Sequence, residues 1–274
     1  LAAIREFLLL QSQGVKFSAA EILERTGGAA AKRDSTVARS PGSVAVLNIF
    51  GIVAQRMNMM DDVSGPGGTS TERFTAQFRQ AAADPNVKAI ILNIDSPGGS
   101  VYGVPELAGV IRAEAARGEK PVIAQVNSLA ASAAYWLATA ANEIVVTPSG
   151  EVGSIGVYTV HEDVSKMLAA MGVTPTIVRA GKYKVEDNPW QPLGDDARAY
   201  LQSLVDQYYE MFLKDVATGR SAATRSKVTP AMVRAGFGQG RVLSAKDAVI
   251  EGMADRVASL DETLSRFGVG VAAA

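Results

Sequence analysis

The order of segments along this 274-residue chain predicts an α/β fold with largely parallel strands. Three observations carry that prediction. From residue 43 onward, short β-rich runs alternate with stretches of helical periodicity. Two of the runs, VKAIILNI and PVIAQV, lack strict polar alternation, as expected of strands covered on both faces. At 47% hydrophobic and 20% charged residues, the chain has enough apolar material for one sizeable core.

Taken in order, residues 1–26 read as two short helices. The second is opened by Ser18 with Glu21 three places later, a capping box, and is flanked by Phe17 and Ile22 as a staple. GGAAAKRDSTVARSPG, residues 27–42, is small, polar and aperiodic and suits a linker. The expected organisation is therefore a helical appendage and linker over 1–42 and a main domain over 43–274. The main domain begins with strand SVAVLNIFGIV, a helix around 71–83, strand VKAIILNI, a helix around 104–117 and strand PVIAQV. A helix from 132, strand EIVVT and a further strand TPTIVRA at 174–180 follow. Residues 195–219 predict a long amphipathic helix with Leu201, Leu204, Val205, Tyr208 and Met211 near one stripe. VTPAMVRAGF and SAKDAVIEGMAD read as short helices, the second capped by Ser244. The chain carries no internal repeat.

Composition removes several kinds of chemistry. A formal net charge of −1 gives no global electrostatic reason to expect nucleic acid or an anionic membrane surface as a partner. The absence of cysteine excludes disulfides, thiolate metal sites and cysteine nucleophiles. A single histidine, His161, rules out a site built from several imidazoles, and its setting in VYTVHEDVSK points to a structural or surface role. No metal or other cofactor is expected. The apolar run FLLL at 7–10 is bounded by Arg5, Glu6 and Gln11 and falls far short of the roughly 20 residues of a spanning helix. No membrane segment is visible, but the chain begins at Leu1, so a missing leader carries little weight.

Three short stretches hold the reactive residues. After VKAIILNI comes DSPGGS, residues 95–100, where Pro97 fixes one dihedral and Gly98 and Gly99 permit close backbone approach, so the turn can aim N–H groups at an anion. In VNSLAASAAYWLATAA, Ser132 stands at the head of an apolar helix among alanines. A hydroxyl there meets unpaired backbone N–H groups and the positive end of the helix dipole. An ordinary N-cap is the plainer reading of that serine. Serine also needs a neighbour to take its proton, and a neutral, desolvated lysine serves as well as imidazole. AGKYKVEDNP supplies Lys182 and Lys184, two apart and on one face if extended; spacing alone does not say which points inward. Together the three stretches predict a Ser/Lys hydrolase. An ordinary lysine titrates near 10.4, so a lysine base requires burial.

DSPGGS, AASAAYWLATAA, GSIGVY at 153–158, AGKYKVEDNP and RVLSAKDAVIEGMAD at 241–255 resemble peptidase family S49, the signal peptide peptidase A and phage capsid protease group, over roughly residues 43–258. The resemblance implies a core like that of crotonase and the Clp protease. It also implies a serine endopeptidase with Ser132 as nucleophile and Lys184, five residues before Pro189, as base. Gly98 and the amide of Ala133 would form the oxyanion hole, with Ser154 a supporting hydroxyl near the lysine. Cellular members often carry glycines where this chain has Ala133 and Ala134, and KVEDNP is more similar to the phage version. That favours the phage or prophage head protease branch, cytoplasmic, with scaffold or capsid proteins as substrates and a ring-like homo-oligomer as the assembly. The alternatives are a signal peptide peptidase, membrane-associated through a segment absent here, and a crotonase-type acyl-CoA enzyme, which shares the fold but does not require Ser132 and Lys184.

Overall fold

The run SVAVLNIFGIVA forms β1 (Ser43–Ala54), and its even and odd residues face opposite sides of a sheet. The computed structural model describes residues 43–56 and 68–269, so the appendage and linker expected over 1–42 lie outside the described residues. A short β2 (Thr69–Ser70) leads into α1 (Thr71–Ala83), where Ser70 is the N-cap and accepts from the Arg73 N–H. Then come β3 (Val87–Gly99), α2 (Val104–Arg117), β4 (Val122–Ala131), α3 (Ala133–Ala138), β5 (Glu143–Val146) and β6 (Glu151–Gly153). Further on lie α4 (Ser165–Ala170), α5 (Asp195–Thr224), α6 (Pro230–Ala235), β7 (Val242–Ser244), α7 (Ala245–Ile250), β8 (Arg256–Val257) and α8 (Leu260–Ser265).

The strands build one sheet in the order β2-β1-β3-β4-β5-β8, with β6 also paired to β4 and β7 to β6. Every pairing is parallel except β6–β7. This is the α/β core with parallel strands and flanking helices that the segment order predicts. Val44, Ala89 and Ile91 on one face pack with Leu260, Leu264 and Phe267 of the α8 segment. The opposite-facing Ala45, Leu47, Ile49, Ile90, Leu92 and Ile94 are buried as well. α1 and α3 pack on β1 and β3, and α2 and α3 on β4. Burial on both sides explains why VKAIILNI reads as a continuous apolar run.

The described chain divides into two compact units, one comprising residues up to Ile155 and from Leu213 onward, the other Gly156–Phe212. The first holds the sheet. Its central helix α3 is buried along all six residues. Trp136 donates from Nε1 to Asp215 at 2.7 Å, and the Tyr135 hydroxyl donates to the Met253 carbonyl at 2.9 Å. Burial pushes the Tyr135 phenol far above its ordinary titration range, with the Arg220 charge acting in the opposite direction, so it stays neutral. Arg220, 1% exposed, donates to Gly252 O from Nε and grips Asp255 through both terminal nitrogens at 2.9 and 2.7 Å. Asp255 in turn accepts the Ile144 N–H, tying α5, β5 and the chain before β8 together. Gly219 of α5 lies so close to the end of α3 that a Cβ there would sit 1.8 Å from Thr139 O.

The second unit contains α4, the first half of α5 and the segment between them. His161 is held there by Asp187 Oδ1 at 3.0 Å and Gln191 O at 3.2 Å, a structural placement. The expected strand at 174–180 does not form; those residues pair with no strand among the described residues, and a β-run without a ladder partner cannot satisfy its backbone as a strand. The predicted 195–219 helix is longer, 30 residues ending at Thr224. Leu201, Leu204, Val205 and Tyr208 are only half-buried and Met211 is exposed, while Phe212, Leu213, Val216 and Ala217 are fully buried. Among the described residues no helix is long and apolar enough to cross a membrane.

Two stability outcomes follow from this packing. Arg220→Leu strands a carboxylate and a carbonyl in the core and is expected to cost about 3–5 kcal/mol in urea unfolding, and Arg220→Lys recovers only part because it lacks the two-pronged grip. Gly219→Ala drives a methyl into the Thr139 carbonyl, and a loss of about 1–3 kcal/mol is expected from the same measurement.

Candidate functional site

β4 pairs with β3 from Val122 to Ala130, with β5 along its first part and with β6 along its last, Leu129, Ala130 and Ala131 lying opposite Glu151, Val152 and Gly153. Ser132 follows at the corner before α3. Its backbone sits at φ 52 and ψ −124, a region that costs a non-glycine residue on the order of 1–3 kcal/mol. Two hydrogen bonds hold it there: the Ser132 N–H donates to Gly153 O at 2.8 Å, and its carbonyl accepts from the Trp136 N–H at 2.9 Å. The hydroxyl makes no capping bond to the helix, so the plain N-cap reading does not describe this serine. Ser132 is half-buried, between Ala131 and Ala133 that are fully so.

DSPGGS is more than a connection. β3 continues through it to Gly99, still paired with β1 as far as Val53. From Phe50 opposite Asp95 to Ile52 opposite Gly98, β1 advances two residues while β3 advances three, which makes a bulge. Past the bulge, Gly98 adopts φ 96, and a Cβ on it would lie 2.7 Å from both Ala131 O and Ser132 Cβ and 2.9 Å from Ala133 N. Only glycine fits this position, for conformation and for space. The structure thus brings together Gly98, Ser132 and Ala133, the three residues that the resemblance groups. The Gly98 N–H, however, is engaged: it donates to Ser96 Oγ at 3.1 Å.

Ser96 was not singled out from the sequence. It is completely buried, and its hydroxyl donates to Gly51 O at 2.6 Å while accepting the Gly98 N–H. A serine two residues before a glycine in a Pro-Gly turn is a signal for such a side-chain bridge. Beside it, Asn93 donates to Asn48 Oδ1 at 2.9 Å, Asn127 donates to Asn93, and Ser128 donates to Asp95.

Ser154 also has a left-handed backbone, φ 54, and its N–H donates to Arg241 O at 2.8 Å. It directly follows Gly153, whose carbonyl holds the Ser132 amide. Gly153 is itself confined, because a Cβ would meet Arg241 O at 2.5 Å. Ser154 therefore belongs to the same frame as Ser132.

Lys184 belongs to the second unit and is exposed. Residues 182–187 form turns, so the two lysines do not share the face of an extended segment. The Lys184 N–H donates to Gly181 O at 3.4 Å, and Lys182 Nζ lies over the Tyr183 ring, 4.6 Å from its centroid.

Residues 114–273 match the family model described as Peptidase family S49. The chain is 34% identical over 222 residues to the Capsid assembly protease C of Escherichia phage lambda, covering 81% of this chain and 48% of that protein. It is likewise 34% identical over 251 residues to the Head-tail preconnector protein GP5 of Enterobacteria phage P21, covering 88% and 49%. With Protease 4 of Salmonella typhi it shares 32% over 231 residues, 84% of this chain and 35% of that one. Against a solved structure of the 1510-N membrane-bound stomatin-specific protease the TM-score is 0.46 at 19% identity, covering 84% and 80%. The chain spans about half the length of the two phage relatives. With a matching model over more than half its residues and relatives above 30% identity over most of its length, the chain belongs to peptidase family S49.

Proposed function

We propose that this chain is a serine endopeptidase with Ser132 as nucleophile and Lys184 as general base. The observation that carries the reading is the corner at Ser132: a strained backbone, a hydroxyl not used for capping, and Gly98 and the Ala133 amide packed against it. Natural chains keep strain of that kind where the surroundings over-determine it, and such places cluster at reactive sites.

In the proposed reaction, neutral Lys184 Nζ takes the Ser132 proton as Oγ attacks a peptide carbonyl carbon. The carbonyl oxygen becomes an oxyanion. The resulting ammonium gives its proton to the leaving amine as the C–N bond breaks, and water then hydrolyses the acyl enzyme by the same proton route. The Ala133 N–H, at the first turn of α3, is one oxyanion donor. The second comes from the Pro97–Gly99 turn. Gly98 gives its N–H to Ser96 and Ser100 gives its N–H to Val53 O, both on the β1 side. Successive N–H groups of a strand face opposite sides, so the Gly99 amide is the one directed away from β1. We therefore move the donor role expected of Gly98 to Gly99 and leave Gly98 the close approach that brings the turn to Ser132.

Lys184 is exposed, so the desolvation a lysine base needs must come from whatever covers it in the working enzyme, the Ser132 site of its own chain or of a second copy. A homo-oligomer fits this requirement, because the second unit exposes Tyr158, Val160, Met171, Val178 and Trp190. Ser154 is assigned as the supporting hydroxyl near the amine. The phage relatives point to processing of head-assembly proteins as the biological role, with an extended peptide of small side chains against the alanines around Ser132.

Ser132→Ala and Lys184→Ala are each expected to abolish cleavage of a peptide library, and Lys182→Ala to leave it; an active Ser132→Ala protein would end the proposal. A serine-reactive phosphonate should label Ser132 alone, an outcome an acyl-CoA enzyme of the same fold would not give.

A further inference from the structure

We propose that Ser96 is a positioning residue of the hydrolytic site, its hydroxyl carrying the β1–β3 ladder across the bulge and thereby fixing the Gly98–Gly99 peptide against Ser132. This rests on the reading of the Pro97–Gly99 turn as the oxyanion-binding turn.

The bulge shifts the ladder by one residue of β3 between the Phe50–Asp95 and Ile52–Gly98 pairs. In an uninterrupted parallel pair, the Gly98 N–H would donate directly to a carbonyl of β1. Here the register shifts just before the Ile52–Gly98 pair, and the Ser96 hydroxyl contacts both the carbonyl of Gly51, at φ 63, and the Gly98 N–H. The hydroxyl donates to Gly51 O at 2.6 Å, which turns its lone pairs toward the Gly98 N–H at 3.1 Å. One side chain thus bonds one donor of β3 and one acceptor of β1 at the bulge, in a place where Ser96 itself has no solvent exposure.

The geometric consequence is directional. With its N–H held toward β1, Gly98 turns its α-carbon to Ser132 and Ala133, at distances where a methyl group would collide. Gly99 is followed by a second hold on the same β1 side, where the Val53 carbonyl accepts the next amide, Ser100, at 2.8 Å. The peptide between Gly98 and Gly99 is thus fixed at both ends. Two glycines in succession would otherwise leave this turn more conformational freedom than any other part of the sheet. Ser96 removes that freedom where an oxyanion donor has to be preorganised.

The experiment compares Ser96→Ala, Ser96→Thr and Ser96→Val on a peptide substrate, with the phosphonate labelling rate and thermal midpoint measured in parallel. Thr and Val have the same shape, and only Thr keeps the hydroxyl. Ser96→Val and Ser96→Ala are expected to lose about 10- to 100-fold in kcat with little change in KM, and to slow phosphonate labelling in proportion, while Ser96→Thr retains most of the rate. Equal rates for the Thr and Val variants, or a loss confined to KM, would overturn the proposal. Should the Ala and Val variants fail to fold, amide exchange on the wild-type protein decides: the Gly98 N–H is expected to be protected without ligand, and the Gly99 N–H to become protected on reaction with the phosphonate. An unprotected Gly98 amide rejects the role of Ser96. A wild-type protein that neither cleaves peptides nor takes the label at Ser132 rejects the hydrolase reading instead.

Discussion

The contact on which the site depends is the approach of Gly98 to the β4–α3 corner. Without a side chain at that position, the end of β3 comes within van der Waals distance of Ser132 and Ala133; with one, a Cβ would lie 2.7 Å from Ser132 Cβ and the strands would have to separate. Everything reactive is arranged around this closeness. Ser132 cannot relax from its left-handed backbone without losing the bonds to Gly153 and Trp136, and the Ala133 amide lies in the first turn of α3, where N–H groups have no partner within the helix.

Strain at one residue must be offset by packing nearby, and the residues behind Ser132 show where that comes from. α3 is buried along its length, Trp136 and Tyr135 are anchored by hydrogen bonds, and Arg220 grips Asp255 from the C-terminal half of α5. Gly219 lets that helix sit against Thr139 O without an intervening methyl. The corner is therefore held from its front by glycines and from its back by large side chains. Close approach needs small residues on one side, and rigidity needs large ones on the other.

Much of this was legible in the sequence. The alternation of strands and helices from Ser43 to Val146 and the cap at Ser244 follow from local pattern, and the grouping of Gly98 with Ser132 and Ala133 is what the family resemblance implies. What was not legible depends on partners distant in sequence. TPTIVRA has strand composition but no strand beside it. The final helix α8 was overlooked although Ser259 and Glu262 form a complete capping box, because the segment is short and its apolar residues Leu260, Leu264 and Phe267 acquire meaning only against Val44 and Ile91. Ser96 is the same case within the site. Its neighbour in sequence is a turn, but its function is set by Gly51, 45 residues earlier.

The division of the chain adds a constraint that composition could not show. Ser132, Ala133, Gly98, Gly99 and Ser154 all belong to the sheet-bearing unit, whereas Lys184 belongs to the other and is exposed. The electrostatic half of the proposed machinery is thus built into a rigid core whose bonds are in place before any substrate arrives. The proposed proton acceptor lies outside that core, and a lysine serves as a base where its surroundings keep water from it.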